Sequence, residues 1–292
     1  ESFTLPFPSA TTFEAGKQYN YSLKLGHNAI TISSVSVSDW EDKIVSSDED
    51  EAWIRFDDSN IEYITFTADS EQGFKFYDTL YGSTLSGFEY SVNNGEWITI
   101  PSEGITEAIP FGGEKGTLRL RGKNLNGPAT GIYGINAKII SFTNNVPVTC
   151  TGDIRTLLDY KNYTTVSTTN ARFTSLFNNC AQLTSAPKLP ATDLHEECYL
   201  GMFAGCTSLT TAPELPATNL RSKCYQSMFE GCTSLTTAPE LKAMTLVQQC
   251  YDGMFDGCTN LSSVTMLATK IRNYNCLRKW LNNAGTLAQS RT

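Results

Sequence analysis

The chain has little histidine, no basic cluster and no long apolar run. Its 292 residues carry a formal net charge of −8, and an acidic chain without a basic patch is a poor partner for nucleic acid or anionic lipid. No apolar run approaches the roughly 18 residues that a membrane-spanning helix requires. The absences predict a protein with no nucleic-acid partner and no transmembrane segment, and the 40% apolar content is typical of a folded chain.

The scarcity of histidine also limits the chemistry available. A nucleophile triad needs a base held by a third group, and neither His27 nor His195 has such a setting in the sequence. A glycosidase needs two carboxylates across a cleft, but nothing distinguishes Asp57, Glu89 or Glu96 from the other acidic residues. Zinc is disfavoured because the chain contains no Cys-x-x-Cys pair. We therefore predict a non-enzymatic protein with no metal site and no cofactor.

The dominant feature of the sequence is a repeat with a period of 26 residues between Arg172 and Cys276. The phrase Cys-Tyr-x-x-Met-Phe-x-Gly-Cys-Thr-Ser-Leu begins at Cys198 and returns at Cys224. It returns once more at Cys250, with Asn in place of Ser. A fixed period in this range is typical of a solenoid, in which each unit buries its apolar face against its neighbours.

Each repeat is predicted to contain a short helix, a turn and a short strand. Apolar residues at i, i+1, i+4 and i+5 of Cys-Tyr-x-x-Met-Phe predict an amphipathic helix, and the Gly that follows would end it. Leu-Thr-Thr-Ala-Pro-Glu-Leu-Pro then predicts a strand that its prolines terminate. We therefore expect a short right-handed leucine-rich-repeat solenoid over residues 151–292, with a short helix near residues 151–163 and atypical copies as terminal caps.

Eight of the nine cysteines fall in two columns of this repeat. The interpretation we favour is a ladder of buried free thiols that serve as small apolar side chains. Two cysteines of one repeat would be about 12 Å apart along a helix, which is too far for a disulfide bond. Disulfides between stacked neighbours of one column are an alternative that the spacing does not exclude. The columns are Cys198, Cys224, Cys250 and Cys276, and Cys180, Cys206, Cys232 and Cys258.

The residues before the repeats are predicted to be all β. Apolar alternation predicts strands within residues 1–45, and the acidic run at 46–51 is interpreted as a solvated loop rather than a calcium site. Asn93-Asn94-Gly95 predicts a hairpin turn, and short strands at intervals of about ten residues predict a β-sandwich over residues 46–150. The predicted fold class is mixed β and α/β, with an N-terminal β-sandwich part followed by the solenoid.

Three parts of the sequence resemble known protein families. The repeat phrase, extended by Thr-Thr-Ala-Pro-Glu-Leu-Pro-Ala-Thr, resembles the BspA-type leucine-rich repeats of bacterial surface proteins over residues 154–284. Residues 89–97 and 120–124 resemble the β domain that often precedes such repeats. Phe-Glu-Ala-Gly-Lys-x-Tyr-x-Tyr at residues 13–21 resembles the closing strands of a fimbrillin-like domain from Bacteroides surface proteins. The repeat departs from the family at its ends, with Arg172 in place of the first-column Cys and Thr265-Met266 in place of Pro-Glu.

The resemblance implies adhesion at a cell surface. The expected location is extracellular or on the outer membrane, with the signal sequence absent from this chain, and the abundance of Asn, Ser and Thr agrees with export. The implied partner is a host protein, a bacterial surface protein or a glycan. The fimbrillin-like start leaves open an alternative, a structural or tip subunit of a fimbria-like assembly.

Candidate binding residues occupy the predicted strands of the repeats. If these strands line one face, their outward positions form ladders of threonine and charge, although threonine is also simply a favourable exposed strand residue. A second candidate is an aromatic sugar platform, which competes with the commoner role of strand aromatics in a core. The repeat candidates are Thr184, Lys188, Thr210, Thr211, Glu214, Thr236, Thr237 and Glu240, and the aromatic candidates are Tyr77, Tyr81, Trp97 and Tyr133.

Overall fold

The chain divides into two compact units, residues 1–56 and 57–292. The computed structural model describes residues 17–25, 30–39, 60–77, 85–129, 139–271 and 274–286. In the first unit, β1 (Lys17–Leu25) and β2 (Ile30–Asp39) form an antiparallel hairpin with an irregularity between Ser22 and Leu23. The alternating pattern of this segment thus forms strands, whereas the acidic run at 46–51 lies outside the described residues.

The second unit begins with two antiparallel sheets. Five strands are ordered β10-β3-β8-β5-β6, and three are ordered β7-β4-β9. Two sheets of this kind are compatible with the predicted β-sandwich. The strands are β3 (Ile64–Thr67), β4 (Gln72–Phe76), β5 (Phe88–Val92), β6 (Ile98–Thr99), β7 (Ile105–Phe111), β8 (Leu118–Gly122), β9 (Ile140–Phe142) and β10 (Thr149–Thr151).

Alternating apolar side chains build the core of these sheets. Phe66 of β3 packs against Phe74 of β4 with ring centroids 5.6 Å apart, and both rings are fully buried. Asn93 and Asn94 have φ angles of 51° and 57°, so they form the turn that the Asn-Gly sequence predicts between β5 and β6. Burial of every second side chain fixes the register of the strands, because a slip by one residue would expose the phenylalanines.

The predicted leucine-rich-repeat solenoid is wrong. The regular secondary structure is mostly β-strand in antiparallel sheets, and the one α-helix of the described residues is α1 (Thr156–Asp159), a single turn. The described residues after α1 contain neither a helix nor a strand. The cause is the backbone conformation around the Cys-Tyr-x-x-Met-Phe-x-Gly phrase. Glu197, directly before the phrase, and Gly201 and Gly205 within it have φ angles of 62°, 58° and 73°. An α-helix of L-residues cannot contain a left-handed residue at every fourth position.

The repeats instead consist of consecutive turns that stack on one another. We call residues 171–179, 197–205, 223–231, 249–257 and 275–283 the turn segments. Alternate N–H groups donate to carbonyls of the next repeat, as from Tyr199 to Cys224 (2.9 Å) and from Phe203 to Met228 (2.9 Å). The N–H groups between them donate within the repeat, as from Met202 to Tyr199 (3.2 Å). The backbone is therefore hydrogen-bonded without helix or sheet.

Side chains of equal position stack in columns through the turn segments. The tyrosine rings of Tyr199 and Tyr225 have centroids 5.8 Å apart, and the phenylalanine rings of Phe203 and Phe229 have centroids 5.6 Å apart. All four rings are buried, and the core cluster continues from the β-sheets to Cys276. The sheets and the repeats of the second unit thus share one apolar core.

All nine cysteines are free and buried, which confirms the predicted ladder of thiols. In the second column, Cys206, Cys232 and Cys258 each donate to a carbonyl of the preceding repeat, as from Cys206 to Phe177 (3.1 Å). Cys180 donates instead to Ile140 of β9 (3.1 Å). The columns are thus held by packing and weak S–H hydrogen bonds.

The β-sheets cover the first repeat. The N–H of Ile140 in β9 donates to the carbonyl of Leu176 (2.9 Å), and the N–H of Val148 donates to Gln182 (2.8 Å). The predicted terminal cap at this end is provided by the sheets together with α1, whose Leu157 and Leu158 are fully buried. Within the described residues, no helix has the length and apolar character needed to cross a membrane.

Candidate functional site

A groove of about 440 Å³ lies between two neighbouring repeats. Its walls are mainly proline and aliphatic side chains, with Lys188 and Glu214 as the two charged members. Its volume is within the range of pockets that hold small ligands or a few side chains of a partner. The lining residues are Ala186, Pro187, Lys188, Leu189, Pro190, Pro213, Glu214 and Pro216.

The groove lies where residues 186–190 and 212–216 of two consecutive repeats face each other. Within the described residues, no backbone hydrogen bond joins 186–190 to 212–216. Further along the stack, Lys242 takes the position of Pro216, and Leu241 exchanges hydrogen bonds with the following repeat through Thr265 (2.9 Å) and Leu267 (3.0 Å). Leu241 is thus joined to the following repeat, whereas the described residues 186–190 and 212–216 are not joined and line the groove with four prolines.

The predicted threonines form two columns with different roles. In the column of Thr184, Thr210 and Thr236, hydroxyls support the stack: Thr184 donates to the Val148 carbonyl (3.0 Å) and Thr236 to the Thr210 carbonyl (3.3 Å). In the neighbouring column, Thr211 and Thr237 are exposed and are joined only through their backbones by a parallel bridge. Thr211 and Thr237 therefore present exposed hydroxyl groups that can meet a partner.

The predicted charged residues also separate into two kinds. Lys188 forms an ion pair with Glu62, with Nζ 2.6 and 2.8 Å from the two carboxylate oxygens. This hydrogen-bonded carboxylate raises the pKa of Lys188. Glu214 and Glu240 occupy equal positions in consecutive repeats, are exposed, and have no ion-pair partner within the described residues. The exposed face beside the groove thus carries uncompensated negative charge.

Trp97, a candidate for the aromatic sugar platform, already packs against other side chains of the protein. The Trp97 ring packs against Tyr63 at 4.8 Å, and the Arg121 guanidinium lies 4.0 Å from the Trp97 centroid and 4.1 Å from that of Tyr160. Trp97 is therefore one layer of a cation–π stack on the outer face of the sheet. Of the other candidates, Tyr77 is half-buried, and Tyr81 and Tyr133 lie outside the described residues.

Sequence reasoning missed this stack and the groove. The signal for the stack was the alternation Arg119-x-Arg121 in β8, which puts both guanidinium groups on one face of the strand. The signal for the groove was the pair of prolines in each of two consecutive repeats. Among the described residues, no three His, Cys, Asp or Glu side chains cluster in a way that could hold a metal ion.

Comparisons with known proteins returned no match. No family model matches the chain, and neither the curated proteins nor the solved structures include a significant match to it. The resemblances to BspA-type and fimbrillin-like proteins stay predictions from the motifs. The function of the groove must therefore be inferred from its chemistry.

Proposed function

We propose that the chain is a non-enzymatic binding protein of the cell surface that recognises another protein through the groove and the exposed face beside it. The observation that carries this proposal is the combination of a proline-lined groove with uncompensated carboxylates along one face of the repeats. Surface location is supported by the wealth of Asn, Ser and Thr and by the BspA-type motif. The partner is a host or bacterial surface protein.

The rigidity of the groove favours binding. Proline side chains have almost no rotamer freedom to lose, so apolar side chains of a partner can be buried at a small entropic cost. One wall is held to the sheet part by backbone hydrogen bonds from Lys188 to Gly152 (2.8 Å) and from Ile154 to Lys188 (3.1 Å). Preorganised apolar walls are the usual core of a recognition surface, with polar groups at the rim that give specificity.

The charge beside the groove defines the partner further. Glu214 and Glu240 attract Lys or Arg, and Thr211 and Thr237 offer hydroxyl groups on the same face. A segment that combines apolar side chains with Lys or Arg fits this surface best. A glycan ligand is less well supported, because the Trp97 ring is already packed against Arg121.

Arrays of purified matrix proteins, bacterial surface proteins and glycans test the proposal. The chain is compared with Glu214→Lys/Glu240→Lys and with a matched control, Glu107→Lys/Glu114→Lys, which reverses two exposed charges on β7 and the following turn. We expect binding to a protein partner that the first variant weakens by about tenfold or more, since like charges would then face each other. The control should bind as the parent does.

Three results would contradict the proposal. Equal binding by both variants would remove the groove face from recognition. Binding confined to glycans would exclude a protein partner, and the absence of any binding would favour the structural-subunit alternative.

A further inference from the structure

The hydrogen bonds between turn segments all run in one direction. The N–H of Phe229 donates to Met254 (3.0 Å), and that of Phe255 donates to Trp280 (2.9 Å). The carbonyls of each turn segment receive bonds from the preceding repeat, while its alternate N–H groups donate to the following one. A stack of this kind has two unlike ends, one presenting acceptors and the other presenting donors.

The last turn segment, residues 275–283, presents the donor end. It keeps the conformation of the inner segments, with φ angles of 56°, 52° and 53° at Asn275, Lys279 and Asn283, although none of these residues is glycine. Its internal bonds are also present, as from Asn282 to Lys279 (3.1 Å). Its five alternate N–H groups, which in the inner segments donate to the following repeat, have no backbone acceptor within the described residues: Asn275, Leu277, Lys279, Leu281 and Asn283.

Two apolar columns of the core end in exposed side chains at this edge. Leu281 continues the column of Phe255 and is 38% exposed, whereas Phe255 is 0% exposed. Leu267 continues the column of Leu241 and is 42% exposed, whereas Leu241 is 1% exposed. Two columns of the core therefore end in side chains that solvent reaches. These N–H groups, which have no backbone acceptor among the described residues, are flanked by apolar side chains, and a segment that supplies both carbonyl oxygens and apolar contacts matches them.

A second copy of this chain does not fit the edge. Two copies related by a twofold axis would bring donors against donors. A head-to-tail arrangement would need the acceptor end of the partner, but the sheets already occupy it through the bonds from Ile140 to Leu176 (2.9 Å) and from Ala129 to Arg172 (3.3 Å).

We propose that the last turn segment is a docking edge for a 26-residue repeat of the same kind, carried by another polypeptide whose acceptor end is uncovered. The incoming repeat would place carbonyls of alternate residues on the N–H groups of residues 275–283. Its apolar side chains would extend the columns that end at Leu267 and Leu281. The docked repeat would continue the stack by the same contacts that join the inner repeats.

A peptide with the sequence of residues 197–248, two consecutive repeats with an uncovered acceptor end, is the probe. A fluorescent label at low concentration limits its self-association, and anisotropy reports its binding to the full chain. We expect saturable binding of the peptide. We also expect the alternate backbone amides of residues 275–283 to exchange hydrogen more slowly when the peptide is bound. The variant Leu267→Asp/Leu281→Asp should bind about tenfold more weakly or worse, because charges would enter the apolar contact.

The matched control is Ile98→Asp/Leu125→Asp, which places the same change at side chains that are 50% and 58% exposed on the β-sheet part. Its binding should equal that of the parent. Absence of binding, or equal binding by both variants, would overturn the proposal. So would slow exchange of residues 275–283 before the peptide is added, or a dimer of the chain alone that the Leu267→Asp/Leu281→Asp variant abolishes in sedimentation experiments.

Discussion

At the scale of single residues, burial determines the chemistry of the thiols. Desolvation raises the pKa of Cys198, Cys250 and Cys258 to about 12, and it raises the pKa of Cys150, Cys224 and Cys232 as well. These side chains are therefore neutral thiols at pH 7 and act as small apolar groups. At Cys198 the desolvation outweighs the opposing effect of the Arg172 charge, so ionisation opposes folding.

The raised pKa values predict a loss of stability in alkaline solution. A thiol that titrates near 9.0 when unfolded and at about 12 when folded stabilises the protein fully below pH 9, and this stabilisation is lost as the pH rises through the folded pKa. Each such thiol should lower the free energy of unfolding by on the order of 1 kcal/mol per pH unit in that window. Urea unfolding at a series of pH values measures the slope.

A Cys198→Ala variant provides the control for this prediction. The variant has one buried thiol fewer, so its free energy of unfolding should fall less steeply above pH 9 than that of the parent. Below pH 9 the two curves should run parallel. Identical slopes above pH 9 would show that Cys198 does not titrate with folding.

At the scale of the structural element, the turn segment depends on left-handed residues. Gly205, Gly231 and Gly257 have φ angles of 73°, 71° and 73°, and the same column ends in Asn179 at 57° and Asn283 at 53°. The glycines are thus needed for a turn and not for the end of a helix. Asparagine tolerates the left-handed region better than most residues with a Cβ, which explains its presence at both ends of the column.

This column predicts different costs for two substitutions at Gly231. An added Cβ would have its nearest neighbours, backbone atoms of Gly205, at 3.8 Å, so the cost arises from backbone strain and not from overlap. Gly231→Ala should therefore destabilise the protein by about 1 kcal/mol, and Gly231→Asn by less. Gly205→Ala should cost more than either, because its Cβ would overlap the Asn179 side chain. Urea unfolding compares the three variants, and an Asn variant as unstable as Ala would refute the strain argument.

At the scale of the whole molecule, the second unit is held by one core. The Phe66 ring of the sheet packs against Phe177 of the first repeat with centroids 6.2 Å apart, and both are fully buried. The sheets also donate hydrogen bonds to the carbonyl end of the stack. Because these contacts join the two parts, unfolding of the sheets should expose the first repeat and propagate from it.

Truncation of the shared core tests this coupling. Phe66→Ala should lower the free energy of unfolding by about 3–5 kcal/mol, as expected for the loss of a buried aromatic ring. Hydrogen exchange should accelerate both in β8 and in the turn segment 197–205, since both depend on that core. The exposed Ile98→Ala serves as the control and should change exchange in neither. Faster exchange in the sheets alone would show that the repeats are stable by themselves.

The sequence by itself determined which residues meet in the repeats. A period of 26 residues puts equal positions in contact, so the two cysteine columns and the burial of Tyr199 and Phe203 follow from the spacing alone. Alternation likewise predicted the strands of the sheets and the turn at Asn93 and Asn94. The exposure of Thr211 and Glu214 also agrees with their assignment to outward positions.

Only the tertiary structure decided the conformation of the repeats and the form of the site. Apolar spacing at i, i+1, i+4 and i+5 is satisfied equally by a helix and by stacked turns, and the left-handed conformation of Glu197 has no signature in its own sequence. That conformation is stabilised by hydrogen bonds from neighbouring repeats, such as the one from Glu197 to Ser222 (3.1 Å). The Lys188–Glu62 pair spans 126 residues, and the groove is lined by residues from two different repeats. Local patterns report which side chains avoid water, whereas backbone conformation here depends on partners that are distant along the chain.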